Sequence, residues 1–227
     1  DTIDIAETKL NHITIQNAYG MPRYVADVNQ IRFGALILDG ASPTITELAT
    51  QDINTSSVLI LDLATPIFNG GSFTVGVEER EPSLLGNAVQ AYGAGSPSNP
   101  VTMLSPVFSG TENGCGQQDN GRHVLWAQKS FVNIDHGVVS SSDYGYRYTD
   151  AAGLVSSNTI DTDCTGIDIN GRRTVLNNDY SLSVSGNTIT TGSNSPVTAY
   201  DGALTLIDGN IMSGAEEGSG IQVVSSM

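Results

Sequence analysis

The sequence is short of positive charge. Lys and Arg number nine against 24 Asp and Glu, a formal net charge of −15 at pH 7. Only Lys9 and Lys129 are lysines, and nothing after Arg173 is basic. Neutralising a phosphate backbone takes clustered Lys and Arg, so a nucleic-acid partner is excluded, and anionic lipid is disfavoured on the same ground. Charge of either sign is scarce, at 15% of residues, so long surface helices rich in Glu and Lys are not expected. Aromatic residues are few, at 6%, and no apolar run is long enough to cross a membrane as a helix.

Catalytic signatures are missing too. There is no phosphate loop, no H-E-x-x-H, no G-x-S-x-G and no G-x-G-x-x-G opening a helix. His12, His123 and His136 are scattered, without the spacing of metal ligands. The two cysteines, Cys115 and Cys164, are too far apart for a CxxC motif. One extracellular disulfide and two separate buried thiols remain open alternatives. The chain opens at Asp1 without an apolar leader, and the expectation is a processed mature chain or a piece of a longer one.

What is present is Ser, Thr, Asn and Gly (25 of the last) around 39% hydrophobic residues, a composition of short strands and many turns. It also repeats. "LILDGASPTI" (36–45) returns as "LILDLATPIF" (59–68), and "ITIQNA" (13–18) precedes it by the same interval of 23 residues. In that register Ile13, Leu36 and Leu59 share a slot, as do Ile15, Leu38 and Leu61, and then Ala18, Ala41 and Ala64. "SLLGNA" (83–88) is a fourth copy, one residue out of step. Near the C-terminus "SVSGNTIT" (183–190) aligns with "LIDGNIMS" (206–213), and "LVSSNTID" (154–161) is a third relative. Each is followed by a further strand candidate, at 166–170, 197–202 and 220–225.

A period of 20–30 residues built from β-type phrases predicts stacked repeats with like residues over like. The L-x-x-L-x-L pattern of leucine-rich repeats is missing, and a β-sandwich would not repeat its residues in register. Phrases such as "GASPTIT" and "SGNTIT" resemble the right-handed parallel β-helix repeats of secreted and surface proteins. These include adhesins, autotransporter passengers, tailspikes, and polysaccharide lyases and hydrolases. The resemblance implies an all-β solenoid with coils of about 23 residues. It implies a single domain over 1–227, with N-terminal coils at 10–75, an irregular excursion or long-turn coils at 76–131, and C-terminal coils at 132–227.

Several clusters are candidates for chemistry. Asn158, Asn187 and Asn210 occupy equivalent places and are expected to form a structural ladder that satisfies turn backbone. Asp39 and Asp62, one coil apart, are candidate ligands for Ca²⁺, though exposed turn residues explain them as well; no other cofactor is indicated. Asp161, Asp163 and Asp168 are the catalytic candidates, with Arg172 or Arg173 to steady an anion. Their phrase "NTIDTDCTGID" is similar to the Asn-Thr-Asp-Gly-Ile-Asp phrase of polygalacturonases, but the adjacent Asp-Asp, the Gly-His-Gly and the Arg-x-Lys are absent. Tyr144, Tyr146 and Tyr148 share one face if extended, as a binding platform or as cover for the core. Trp126 is expected in the core.

The expectation for function is a non-catalytic structural or adhesive module, extracellular or on a cell surface. Its ends would be covered by other copies of itself or by flanking segments. A polysaccharide-active enzyme or glycan-binding tailspike-like protein is the alternative, with glycans as partners and no membrane insertion.

Overall fold

The computed structural model describes residues 8–26, 29–75, 87–110, 115, 123–171, 181–200, 204–214 and 220–224. These residues are all-β, with no α-helix, and their parallel strands form a curled sheet. The chain visits three ladders in turn and then starts again, each circuit adding one strand to each ladder.

Ladder 1 stacks β1 (Lys9–Asn11), β5 (Thr44–Thr46), β8 (Ile67–Asn69), β11 (Val101–Leu104), β14 (Val132–Asp135), β16 (Gly153–Ser156), β18 (Ser181–Ser185) and β21 (Leu204–Asp208). Ladder 2 stacks β2 (Thr14–Gln16), β6 (Ala49–Gln51), β9 (Ser72–Thr74), β12 (Val107–Ser109), the first parts of β15 (Val138–Thr149) and β17 (Thr159–Asn170), then β19 (Thr188–Thr191) and β22 (Ile211–Ser213). Ladder 3 holds β4 (Gln30–Asp39), β7 (Ser56–Leu61), β10 (Val89–Tyr92), β13 (His123–Gln128), the second parts of β15 and β17, then β20 (Val197–Tyr200) and β23 (Ile221–Val224). Only β3 (Met21–Val25) breaks the pattern among the described strands, pairing antiparallel with the start of β4.

The core is made of columns. In ladder 1, Leu10, Ile45, Phe68, Met103, Ile134, Val155, Val184 and Ile207 stack one above another. Strand alternation turns every second residue inward, and parallel register puts each over its counterpart. In ladder 2 the column passes through Phe73 and Phe108, whose ring centroids are 5.4 Å apart, to Val139, Ile160 and Ile189. Fully burying each such side chain stabilises the fold by about 1.5–3 kcal/mol.

The corner between ladders 1 and 2 is constant. It is two residues long in all eight circuits, and the first of the two lies in the left-handed region. The left-handed residues are His12, Glu47, Gly70, Ser105, His136, Ser157, Gly186 and Gly209, with φ from 49° to 70°. In the last three circuits the second corner residue is the repeated Asn. Asn158 Nδ2 donates to Asn187 Oδ1 at 2.9 Å, and Asn187 Nδ2 donates to Asn210 Oδ1 at 2.8 Å. Backbone N–H groups of Asn158 and Asn187 donate to the same oxygens, and Gly137 N–H donates to Asn158 Oδ1 at 2.7 Å. The structural ladder expected from the sequence is present.

The C-terminal registers are as read from the sequence, since Ser183 faces Leu206 and Leu154 faces Ser183; in the strand candidates that follow, Ile167, Val197 and Ile221 stack. The N-terminal register is not. "SPTIT" does stack on "TPIFN" at an interval of 23, and Thr65 N–H and hydroxyl both donate to Ser42 Oγ at 2.9 Å. Leu36 and Leu38, however, face Val58 and Ile60, an interval of 22, and Ala41 is exposed. Ile15 faces Thr50 in ladder 2, so "ITIQNA" is not a relative of "LILDGA" at all. Within the stretch 76–131, residues 87–110 are regular, with β10, β11 and β12 each paired on both sides. Most of "SLLGNA" lies outside the described residues.

Two substitutions separate the corner's components. Gly186→Ala meets no atom within 4 Å of the added Cβ, so it should cost only the left-handed strain, about 1–2 kcal/mol. Asn187→Ala strands buried N–H and C=O groups on two circuits and should cost roughly 3 kcal/mol. Urea unfolding midpoints at constant m-value would check both.

Candidate functional site

The long connections all border ladder 3. The chain enters it through residues 17–29, 75–88 and 110–122 and leaves it through 171–180, while the ladder 1–2 corner never exceeds two residues. Connections on one side of a rigid scaffold are where recognition sits. The outward side of ladder 3 is therefore the place to look.

Outward positions there include Leu59, Gln90, Trp126, Arg147, Asp168 and Thr198 in one row, with Leu61, Tyr92, Gln128, Thr149 and Asn170 beside it. The hairpin of β3 and early β4 folds against the first of these. Val25 packs on Leu59, Leu61 and Tyr92, forming a second small core outside the ladder. The hairpin crosses at two glycines because nothing larger fits: a Cβ on Gly34 would lie 2.7 Å from Leu59 Cβ, and one on Gly20 2.1 Å from Thr55 Oγ1. An Arg23–Asp39 ion pair holds it down.

From the hairpin, Arg32 reaches over the Tyr92 ring (5.6 Å to its centroid) and the Trp126 ring (5.2 Å). Arg147 lies over the same Trp126 ring at 5.4 Å, so the indole is shared by two guanidinium groups. Arg147 Nε stands 3.5 Å from Asp168 Oδ2, and Thr198 Oγ1 donates to Asp168 Oδ1 at 3.2 Å. Burial pushes the Asp168 carboxyl above its usual value, against the opposing pull of Arg147 and Thr198. Tyr92 is pushed up to about 12 by burial, and its hydroxyl donates to Gln90 Oε1 at 3.2 Å. Trp126 Nε1 and Asn170 Oδ1 are buried without a hydrogen-bond partner, and Arg147 Nε faces Asp168 without an aligned bond. The row is amphipathic, half-buried and incompletely satisfied.

The residues expected from the sequence fall elsewhere in part. Asp161 is exposed on ladder 2, Asp163 sits at the bend of β17, and Asp168 faces out from ladder 3. The three are on different sides of one strand and are not brought together; Arg172 and Arg173 lie outside the described residues. Tyr146 and Tyr148 do share a face, but it is the inside: both are fully buried, under Leu125 and Ala127. Tyr146 hydroxyl donates to Asn158 Oδ1 at 3.5 Å and Tyr148 hydroxyl to Val132 O at 3.2 Å. Tyr144 alone is half-exposed, its ring 4.9 Å from that of His123. A three-tyrosine exposed platform is thus corrected to two core residues and one at the rim. Trp126, expected in the core, faces outward because it alternates with the inward Leu125 and Ala127.

Asp39 faces Leu61 instead of Asp62, since the interval there is 22, and its carboxylate is taken by Arg23. Among the described residues no three His, Cys, Asp or Glu side chains gather as a metal site would require. Cys115 and Cys164 form a disulfide, Cα–Cα 5.5 Å, which ties the 110–122 connection to the bend of β17. The row through Arg32, Trp126 and Arg147 escaped the sequence reading. Its signal was parity: in "YGYRYT" the residue between two inward tyrosines must face out.

Comparison with family models, with curated proteins and with solved structures finds no match for this chain.

Replacing both cysteines with serine should lower stability by about 2–4 kcal/mol, as expected for opening a loop of this length, measured by denaturant unfolding. Asp168 gives a pH signature. Its folded-state affinity for the proton is raised, so its contribution favours the native state below the unfolded pKa and is lost as pH rises through the folded value. In unfolding titrations, Asp168→Asn should therefore gain stability relative to the parent as pH climbs through and above the ordinary carboxyl range.

Proposed function

We propose that the chain is a right-handed parallel β-helix, a non-catalytic structural and adhesive module of an extracellular or cell-surface protein, with the outward side of ladder 3 as its recognition face. Three ladders visited in strict rotation support the solenoid, and right-handedness follows the strong preference of parallel crossovers. The disulfide fits an oxidising compartment. The observation that carries the adhesive reading is the row Trp126, Arg147 and Asp168 on the outward side of ladder 3. A partly exposed indole edged by guanidinium and carboxylate groups suits a glycan ring and its hydroxyls. Hydrolysis needs two facing carboxyl groups, and this row offers one.

The rival reading, a polysaccharide-active enzyme, is favoured by one observation: Asp168 is held above its ordinary pKa, as a general acid would be. A single experiment addresses both. The immobilised protein is exposed to a panel of neutral and acidic polysaccharides while bound mass and newly released chain ends are recorded. The expected result is retention without cleavage, weakened about tenfold or more by Trp126→Ala. Cleavage that disappears in Asp168→Asn would replace the adhesive reading with the enzymatic one.

A further inference from the structure

The lateral row holds more hydrogen-bond donors than the protein itself uses. Arg32 Nε, Arg147 Nε and Trp126 Nε1 are all buried without an aligned hydrogen bond from the described residues. Arg32 is half-buried, set by the hairpin over the Tyr92 and Trp126 rings, and no carboxylate among the described residues pairs with it. Arg147, its side chain 22% exposed, reaches one carboxylate oxygen of Asp168 at 3.5 Å, while the other oxygen accepts from Thr198. Two guanidinium groups on one indole therefore share a single carboxylate. A half-buried cation is costly unless something pairs with it, and a guanidinium is the donor whose fork matches an oxyanion.

The rest of the molecule sharpens the contrast. The chain carries a formal net charge of −15, and among the described residues this is the one ring shared by two basic side chains. We propose that the row selects a sugar unit carrying one oxyanion, a uronate carboxylate or a sulfate ester, held by Arg32 and Arg147 beside Trp126. This rests on the adhesive reading of the row and names the kind of glycan it takes. The surrounding charge limits how many oxyanions the ligand carries. Arg32 and Arg147 against Asp168 leave the row a small positive surplus, whereas further anionic units along the ligand meet an acidic molecule. A mainly neutral glycan with an isolated acidic unit suits this field, and a continuous polyanion does not.

Trp126 is the only tryptophan, so its fluorescence reports on this site alone. The full chain is titrated with neutral tetrasaccharides of xylose and of galactose, then with the same sugars carrying one glucuronate or one sulfate ester. Sodium sulfate is titrated separately. The expected result is a saturable change with an acidic form, about tenfold tighter than with its neutral parent, and none with sodium sulfate at equal concentration. Whether the glucuronate or the sulfate ester binds identifies the oxyanion. Arg32→Gln and Arg147→Gln should each bring the acidic form down to the affinity of the neutral one. Arg32→Lys keeps the charge without the fork and should restore part of the preference, which a merely structural role would not predict. If either Gln variant lowers the melting temperature, Arg32→Lys carries the test. Polygalacturonate should bind weakly at low salt and gain as salt is raised, because screening relieves its repulsion from the acidic surface.

Equal affinity for acidic and neutral forms would overturn the proposal and leave the adhesive reading standing. A response to sodium sulfate equal to that of the acidic sugars would overturn it as well, reducing the site to an anion hole. No response to any sugar also sinks it, and if the polysaccharide panel retains nothing either, the adhesive reading falls with it.

Discussion

The left-handed residue at the corner between ladders 1 and 2 is the constraint on which the rest depends. One residue with φ near 50–70° turns the chain sharply and, with the single residue after it, starts the next ladder at the same place in every circuit. A longer or variable corner would let neighbouring circuits slip, and a slip of one residue would turn every inward side chain outward. Five of the eight positions are not glycine, so most circuits accept local strain to keep this geometry. In return, the stacked columns of ladders 1 and 2 stay aligned from Leu10 to Ile207 and from Phe73 to Met212.

Because that corner is fixed, length variation in the connections collects around ladder 3. The circuit-to-circuit intervals show it: Thr44 to Ile67 is 23 residues, while Ile67 to Thr102 is 35. Most of the extra residues enter between ladders 2 and 3. The outward side of ladder 3 consequently receives the hairpin and the Arg–Trp–Arg arrangement. The same rigidity that makes ladders 1 and 2 monotonous makes the third ladder individual.

This division explains what could be read from the sequence. The C-terminal register was legible because Asn187 and Asn210 mark the corner directly and the interval stays at 23. The "SP" and "TP" phrases were legible because Ser42 and Thr65 bond across one circuit. "LILDGA" misled because both sides of β7 are buried: Val58 and Ile60 in the main core, Leu59 and Leu61 under the hairpin. Alternation, the usual guide to which side faces in, vanishes from a strand covered on both sides. The eye then matches Leu with Leu, one residue away from the true pairing. The tyrosines failed in the opposite way: parity grouped Tyr146 with Tyr148 correctly, but parity alone does not say which group is inside.

The hairpin connects these threads. It hides Leu59, Leu61 and Tyr92, which on an open parallel ladder would be an aggregation-prone apolar strip. It also carries Arg32 to Trp126, completing the lateral row from a segment far away in sequence. Covering the strip inverts the hairpin's own surface, since Tyr24 and Ile31 must face out if Val25 and Arg32 face in. A two-stranded hairpin has only two sides. The exposure of its outer side is thus a direct consequence of how the lateral site is built, and apolar surface removed from ladder 3 reappears on the outer side of the hairpin.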